Sequence, residues 1–196
     1  VYKRQVYATT GPRIGVRFFG GWDFVPEDLR YDLAEIGYAR GVPMGAVLDK
    51  APRGKSPTFM VAAMKDPLSG NLDRVQIVKL WLDRRGQTHE QVHDVVWSDP
   101  DHRHPGPDGR LPPVGNTVDV SSATWQDTIG DPNLVALWQD QDFHPRQAAL
   151  YYARVIEVPT PRWTSYDAVR YEIEHPENVP AYTQERAYTS PIWYNP

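Results

Sequence analysis

The sequence predicts a mainly β fold, an antiparallel immunoglobulin-like β-sandwich with one or two short helices in its long loops. Three observations predict it. Runs of β-branched and aromatic residues recur between Pro, Gly and Asp. Side chains alternate with a period of two in the middle of the chain. Nineteen prolines among 196 residues, irregularly spaced, cut the sequence into many loops rather than a repeat.

Taken in order, IGVRFF (14–19) reads as the first strand. DLAEIGYAR (32–40) reads as a short helix with Leu33, Ile36 and Gly37 on one face and Gly41 at its C-terminal stop. MGAVL (44–48) and PTFMVAAMKD (57–66) read as strands. In RVQIVKLWL (74–82), Val75, Ile77 and Lys79 share one face and Gln76, Val78 and Leu80 the other, so both faces are at least half covered. Asp83-Arg84-Arg85-Gly86 reads as a hairpin turn, which makes EQVHDVVWS (90–98) an antiparallel neighbour. NLVALWQD (133–140) is a further strand. In AALYYARVIEV (148–158), Tyr151, Ala153, Val155 and Glu157 oppose Tyr152, Arg154, Ile156 and Val158. WTSYDAVRYEI (163–173) predicts a second helix, with Thr164 or Ser165 as N-cap candidates. RAYTSPIWY (186–194) closes the series. Residues 99–116 and 174–183 read as loops rich in Pro, Asp and Gly, not as linkers between domains.

Composition narrows the function classes. The length and the 40% hydrophobic content suit one domain with a proper core. The net charge of -4 is small, and Lys and Arg are scattered, so neither nucleic acid nor an anionic membrane is expected as a partner. No apolar run approaches the roughly 18 residues of a membrane span. The absence of Cys excludes disulfides, thiolate nucleophiles and Cys-ligated zinc, and leaves the compartment open.

Three constellations could carry chemistry. HEQVH places His89, Glu90 and His93 in the H-E-x-x-H pattern of zinc peptidases, with Asp99 where some of those enzymes place a third ligand. That chemistry needs a helix, because only i, i+4 spacing on one helical face points both imidazoles at one metal. The preceding hairpin turn and the β-branched run favour a strand, on which the two rings would stand about 13 Å apart. Val96 also occupies the position where the longer pattern wants Gly. DHRHPG offers His102 and His104, but on a Pro- and Asp-rich surface loop rather than on the rigid strand a His-x-His metal pair uses. WQDQDFHP sets Asp140, Asp142 and His144 at alternate positions without the Gly and terminal Glu of a calcium loop, and reads as a solvated turn. No residue is therefore assigned as catalytic, cofactor-binding or metal-ligating. An exposed planar row of Trp81, Trp97, Trp138 and Trp193 would instead mark a carbohydrate-binding module; aromatic residues at sandwich spacing more often fill a core.

The ordered phrases YATTGPRI (7–14), GYARGVPMG (37–45), NLDRVQIVKLW (71–81), PPVGNTVD (112–119), YYARVIEVPTPRW (151–163) and ERAYTSPIWY (185–194) together resemble the carboxy-terminal part of a bacterial family, the domain of unknown function 3604. In full-length members that part is similar in its setting to a tail following a barrel of the polymerase and histidinol phosphatase (PHP-like) superfamily. The resemblance implies a periplasmic or secreted metal-dependent hydrolase acting on an amide, ester or phosphoester. Its divalent metal would sit on His, Asp and Glu motifs upstream of YATTG, none of them in this chain, so the fragment itself is expected to hold no cofactor and to have the absent barrel as its partner. HEQVH corresponds to a family stretch that more usually carries an aromatic near position 93.

The first five residues, VYKRQ, are what GTG TAT AAG AGA CAG encodes, the inner end of a transposase adapter used for sequencing libraries. The expected division is thus 1–5 adapter translation, 6–13 the end of the upstream barrel, and 14–196 the sandwich. Such a metagenomic fragment is expected to leave apolar surface uncovered and to be poorly soluble.

Overall fold

A computed structural model describes residues 4–196 of the chain; most of the VYKRQ run lies outside the described residues. The fold is two facing β-sheets with two short α-helices, as the alternation and turn pattern predict. The smaller sheet has the order β3-β2-β5-β8, from Gly41–Pro43, Gly15–Gly21, Thr58–Met64 and Asn133–Gln139, all antiparallel. The larger sheet is built on β6 (Leu72–Leu82) and β9 (Ala149–Glu157), which pair antiparallel. β7 (Thr88–Trp97) covers one edge of β6. The far edge of β9 is shared end to end by β12 (Arg186–Thr189) and β13 (Ile192–Tyr194). β1 (Tyr7–Thr9) pairs β12, and β4 (Val47–Leu48) pairs β13 in parallel. A two-stranded ribbon, β10 (Thr160–Pro161) with β11 (Tyr182–Thr183), flanks α2 (Trp163–Tyr171).

The core lies where the sheets meet. Val16 and Phe18 of β2, Phe59 and Val61 of β5 and Leu134 of β8 pack with Val75, Ile77, Tyr151, Ala153 and Val155. Phe59 reaches across to Tyr151 at a centroid distance of 4.4 Å. In β9 burial alternates strictly, Ala149, Tyr151, Ala153, Val155 and Glu157 facing inward. That is the division read from the sequence. In β6 both faces are covered, and Lys79 does lie on the inner one.

Where the chain departs from the predicted elements, single residues explain it. The strand predicted over 44–48 is cut to Val47–Leu48, because Gly45 takes φ +85°, a region that disfavours any Cβ, and its N–H turns to the carbonyl of Pro191. Residues 186–194 divide at Ser190-Pro191, where the Ser190 N–H bonds to the Val6 carbonyl. The hairpin after β6 forms as predicted, with Gly86 at φ +75°. α1 (Leu33–Arg40) is capped by Asp32, whose carboxylate accepts the Ala34 N–H at 2.7 Å. Gly37 on this helix lies against Phe19 so closely that a Cβ would fall 2.4 Å from the ring. The N-cap of α2 is Arg162, two residues before Thr164 and three before Ser165, and those two side chains turn inward from the first turn.

Candidate functional site

β7 settles the geometry of HEQVH. Its register sets His89 opposite Trp81 and His93 opposite Ile77, so four strand residues, about 13 Å, separate the two imidazoles. Glu90 points to the opposite face of the sheet and is exposed. The two rings are separately occupied. His89 stacks on Trp81 with centroids 5.2 Å apart and sets its Nε2 3.1 Å from the Asp83 carboxylate, which the Gln87 N–H at 2.9 Å and then His89 hold below the usual carboxylate range. His93 lies over Trp138 at 4.7 Å, and burial pushes its pKa down, favouring the neutral ring. Its Nε2 is buried without a hydrogen-bond partner.

Beside His93 the sandwich encloses a polar cluster that sequence patterning misses. The Lys79 ammonium lies 2.6 Å from the Asp140 carboxylate and donates to the Asp142 carbonyl at 3.1 Å. The Tyr151 hydroxyl donates to the same Asp140 oxygen at 2.7 Å, and the Asp142 N–H to the other at 3.0 Å. Asp140 is 1% exposed, so the turn expected at WQDQDFHP is not a solvated one at its first carboxylate. Burial, with the Asp140 charge next, raises the Tyr151 phenol far beyond its ordinary pKa, so it remains a donor. The set is satisfied as a structural clamp: an ion pair, a phenol and two backbone groups tie β6, β9 and the end of β8 together. His144 only accepts the Arg146 N–H at 3.3 Å on the exposed side of the turn.

At the other end of β9, Glu157 is fully buried. Its Oε2 accepts the Ser69 hydroxyl at 2.8 Å, and its Oε1 has no partner. Burial raises its pKa to about 7. A third cluster centres on Asp73, 1% exposed, which receives Arg103 at 2.7 Å, Arg74 at 3.1 Å and the Gln184 amide at 3.1 Å. Arg103 also donates to the Ser98 carbonyl and hydroxyl. It is thus the anchor of the 99–116 loop, whereas the residues on either side of it, His102 and His104, are exposed. His102 meets only Asp99, at 2.6 Å, which raises its pKa. Among the described residues, no three His, Asp or Glu side chains are grouped so as to hold a metal ion.

The four Trp named as a possible sugar platform do not form a row. Trp81 and Trp193 occupy opposite faces of the larger sheet, since Trp81 pairs with Ala149 and Trp193 with Leu150. Trp138 stacks on Phe59 and packs against His93, and Trp97 donates its indole N–H to the Arg103 carbonyl at 2.7 Å. Of the four only Trp193 is exposed. An open cavity of about 440 Å³ lies elsewhere, between the 111–116 loop and Asp73, Arg74, Tyr182 and Gln184.

A family described as "Protein of unknown function (DUF3604)" matches residues 1–196, and the chain belongs to it. No curated protein and no solved structure matches the chain.

Proposed function

We propose that this member of the domain of unknown function 3604 family is the carboxy-terminal accessory sandwich of an exported, metal-dependent hydrolase, and that the sandwich is itself non-catalytic. The reactive residues then belong to a PHP-like barrel preceding YATTG in the full-length protein. One observation carries the reading. The only metal-peptidase pattern in the chain lies on a strand, with each imidazole packed against its own Trp instead of converging. The remaining buried ionisable side chains brace strands and loops, which is the work of a scaffold. The test is to compare the full-length protein with this chain on amide, ester and phosphoester substrates. Chelator-sensitive turnover by the full-length protein, and none by the chain, is expected. Equal turnover by both would refute the assignment.

A second reading, carbohydrate binding, draws support from the cavity between Tyr182 and the Asp73–Arg74–Gln184 set, whose volume lies within the usual range for small-ligand sites. Its lining brings the Tyr182 ring together with the Asn116 and Gln184 amides, groups of the kind that meet a neutral sugar ring. A glycan array followed by Tyr182→Ala would test it: binding lost in the variant supports the reading, and no binding by the parent chain removes it.

A further inference from the structure

The cavity beside the 111–116 loop has a cation in its wall whose donors the protein does not fill. Arg74 lines the cavity, its side chain 13% exposed, and a guanidinium has five N–H groups to place. Three acceptors meet it: Asp73 at 3.1 Å from Nε, the Pro112 carbonyl at 3.4 Å from Nη2 and Asp94 at 3.5 Å from Nη1. The last two are longer than the usual range of about 2.7–3.2 Å. Arg103 takes the closer contact with both acceptors that the two arginines share, Asp73 at 2.7 Å and the Pro112 carbonyl at 2.9 Å. The Asp94 carboxylate is held closer by the Gln76 amide, also at 2.7 Å. Arg74 is therefore the weaker claimant on every acceptor it has. Five N–H groups against three contacts leave two, on Nη1 and Nη2, without an acceptor among the described residues. Asp73, also in the wall, is buried and fully engaged: Arg103 holds one oxygen, and Arg74 with the Gln184 amide the other.

We propose that the ligand of this cavity is a sugar acid, a sugar ring bearing a carboxylate, and that Arg74 is the residue that selects it. The inference rests on the carbohydrate reading of the cavity and narrows it. A carboxylate supplies what the two open N–H groups lack, a pair of acceptors in one plane carrying a full charge, whereas a hydroxyl offers neither. The rest of the lining suits the ring to which the carboxylate is attached. Asn116 Oδ1 already accepts the Val118 N–H at 3.0 Å, so its Nδ2 is left to donate. Gln184 Nε2 is engaged by Asp73 and by the Glu157 carbonyl at 2.9 Å, so its Oε1 is left to accept. One donor and one acceptor answer the hydroxyls, and Tyr182, exposed in the same lining, offers an aromatic face to the ring. A simple carboxylate would leave both amides unanswered, and a neutral sugar would leave the guanidinium so.

Calorimetric titration of the whole chain tests this with the methyl glycosides of glucuronic and galacturonic acid, those of glucose and galactose, and benzoate as a carboxylate without a sugar. One of the uronides should bind at least about tenfold more tightly than its neutral counterpart and than benzoate, the gain expected from charged hydrogen bonds. Esterifying its carboxyl, a change made in the ligand alone, should abolish that preference. Arg74→Gln should abolish it too, with the neutral sugar within about threefold of its affinity for the parent chain. Tyr182→Ala should weaken uronide and neutral sugar by the same factor. Because Arg74 also bonds Asp73, the ester decides the matter if the variant does not fold. A neutral sugar that binds as tightly as its uronide overturns the inference and leaves the carbohydrate reading standing. Benzoate as tight as the uronide, or an ester as tight as the acid, overturns it as well. Binding by none of the compounds removes the inference and the carbohydrate reading together. None of these outcomes bears on whether the full-length protein is a hydrolase.

Discussion

Asp140 and Glu157 are both buried carboxylates tied to the inner stripe of β9, one bonded to Tyr151 near its start and the other standing at its end. Asp140 meets a cation, a phenol and a backbone N–H. Glu157 meets one hydroxyl, and its second oxygen has none. Equal burial is therefore met by unequal partners. The first carboxylate is matched by a cation and two hydrogen-bond donors inside the clamp; the second is driven toward its neutral form, with its pKa raised to about 7. What a buried carboxylate contributes is decided by whether a counter-charge was folded in beside it.

The largest expected effect is the loss of one side of the clamp. Asp140→Ala leaves the Lys79 ammonium buried and unpaired and should destabilise the chain by about 3–5 kcal/mol in a urea unfolding titration. Replacing both partners, Lys79→Met with Asp140→Leu, removes the desolvation along with the attraction and should recover most of that loss, to within about 1–2 kcal/mol of the parent chain. If the double variant is no better than the single one, the ion pair is not the unit that matters.

Glu157→Gln should act in the opposite direction and with pH. Because the folded pKa lies above the unfolded value, the carboxyl contributes no penalty below about pH 4.5 and an increasing one as pH rises through 7. The Gln variant has no such titration. It should match the parent chain near pH 4.5 and exceed it by up to about 2–3 kcal/mol at pH 8.5, as measured by denaturant unfolding at the two pH values. A difference independent of pH would mean that Glu157 stays charged when folded. The smallest effect is Tyr151→Phe, which removes one hydrogen bond to Asp140 and should cost about 1–2 kcal/mol.

The contrast between the two carboxylates also shows what the sequence could and could not reveal. Strands bounded by turn residues, the period-two face of β9 and the hairpin at Gly86 were legible because local chemistry fixes them. Glu157 was legible as an inward residue by the same alternation. The fate of Asp140 was not, because its cation lies on another strand, and Asp140, Asp142 and His144 together look like any polar turn. The one available signal was Lys79 on the inner face of β6, a charge that required a partner from elsewhere in the chain. Thr164 and Ser165 were misread as caps for a related reason: small hydroxyl residues at a helix start satisfy either the helix itself or, as here, a neighbouring loop. The shortening of one predicted strand at Gly45 and the division of another at Ser190-Pro191 depend on backbone bonds between distant segments. For HEQVH the decisive signal was the turn before it, which set a strand where the motif demanded a helix.

The central claim is that the polar side chains of this sandwich hold the fold and do not perform chemistry. Its most direct test is to purify the whole chain, supply zinc, manganese or magnesium, and measure bound metal per chain together with hydrolytic turnover. The account predicts no stoichiometric metal and no turnover. One tightly held ion per chain, lost together with activity in His93→Ala, would contradict it.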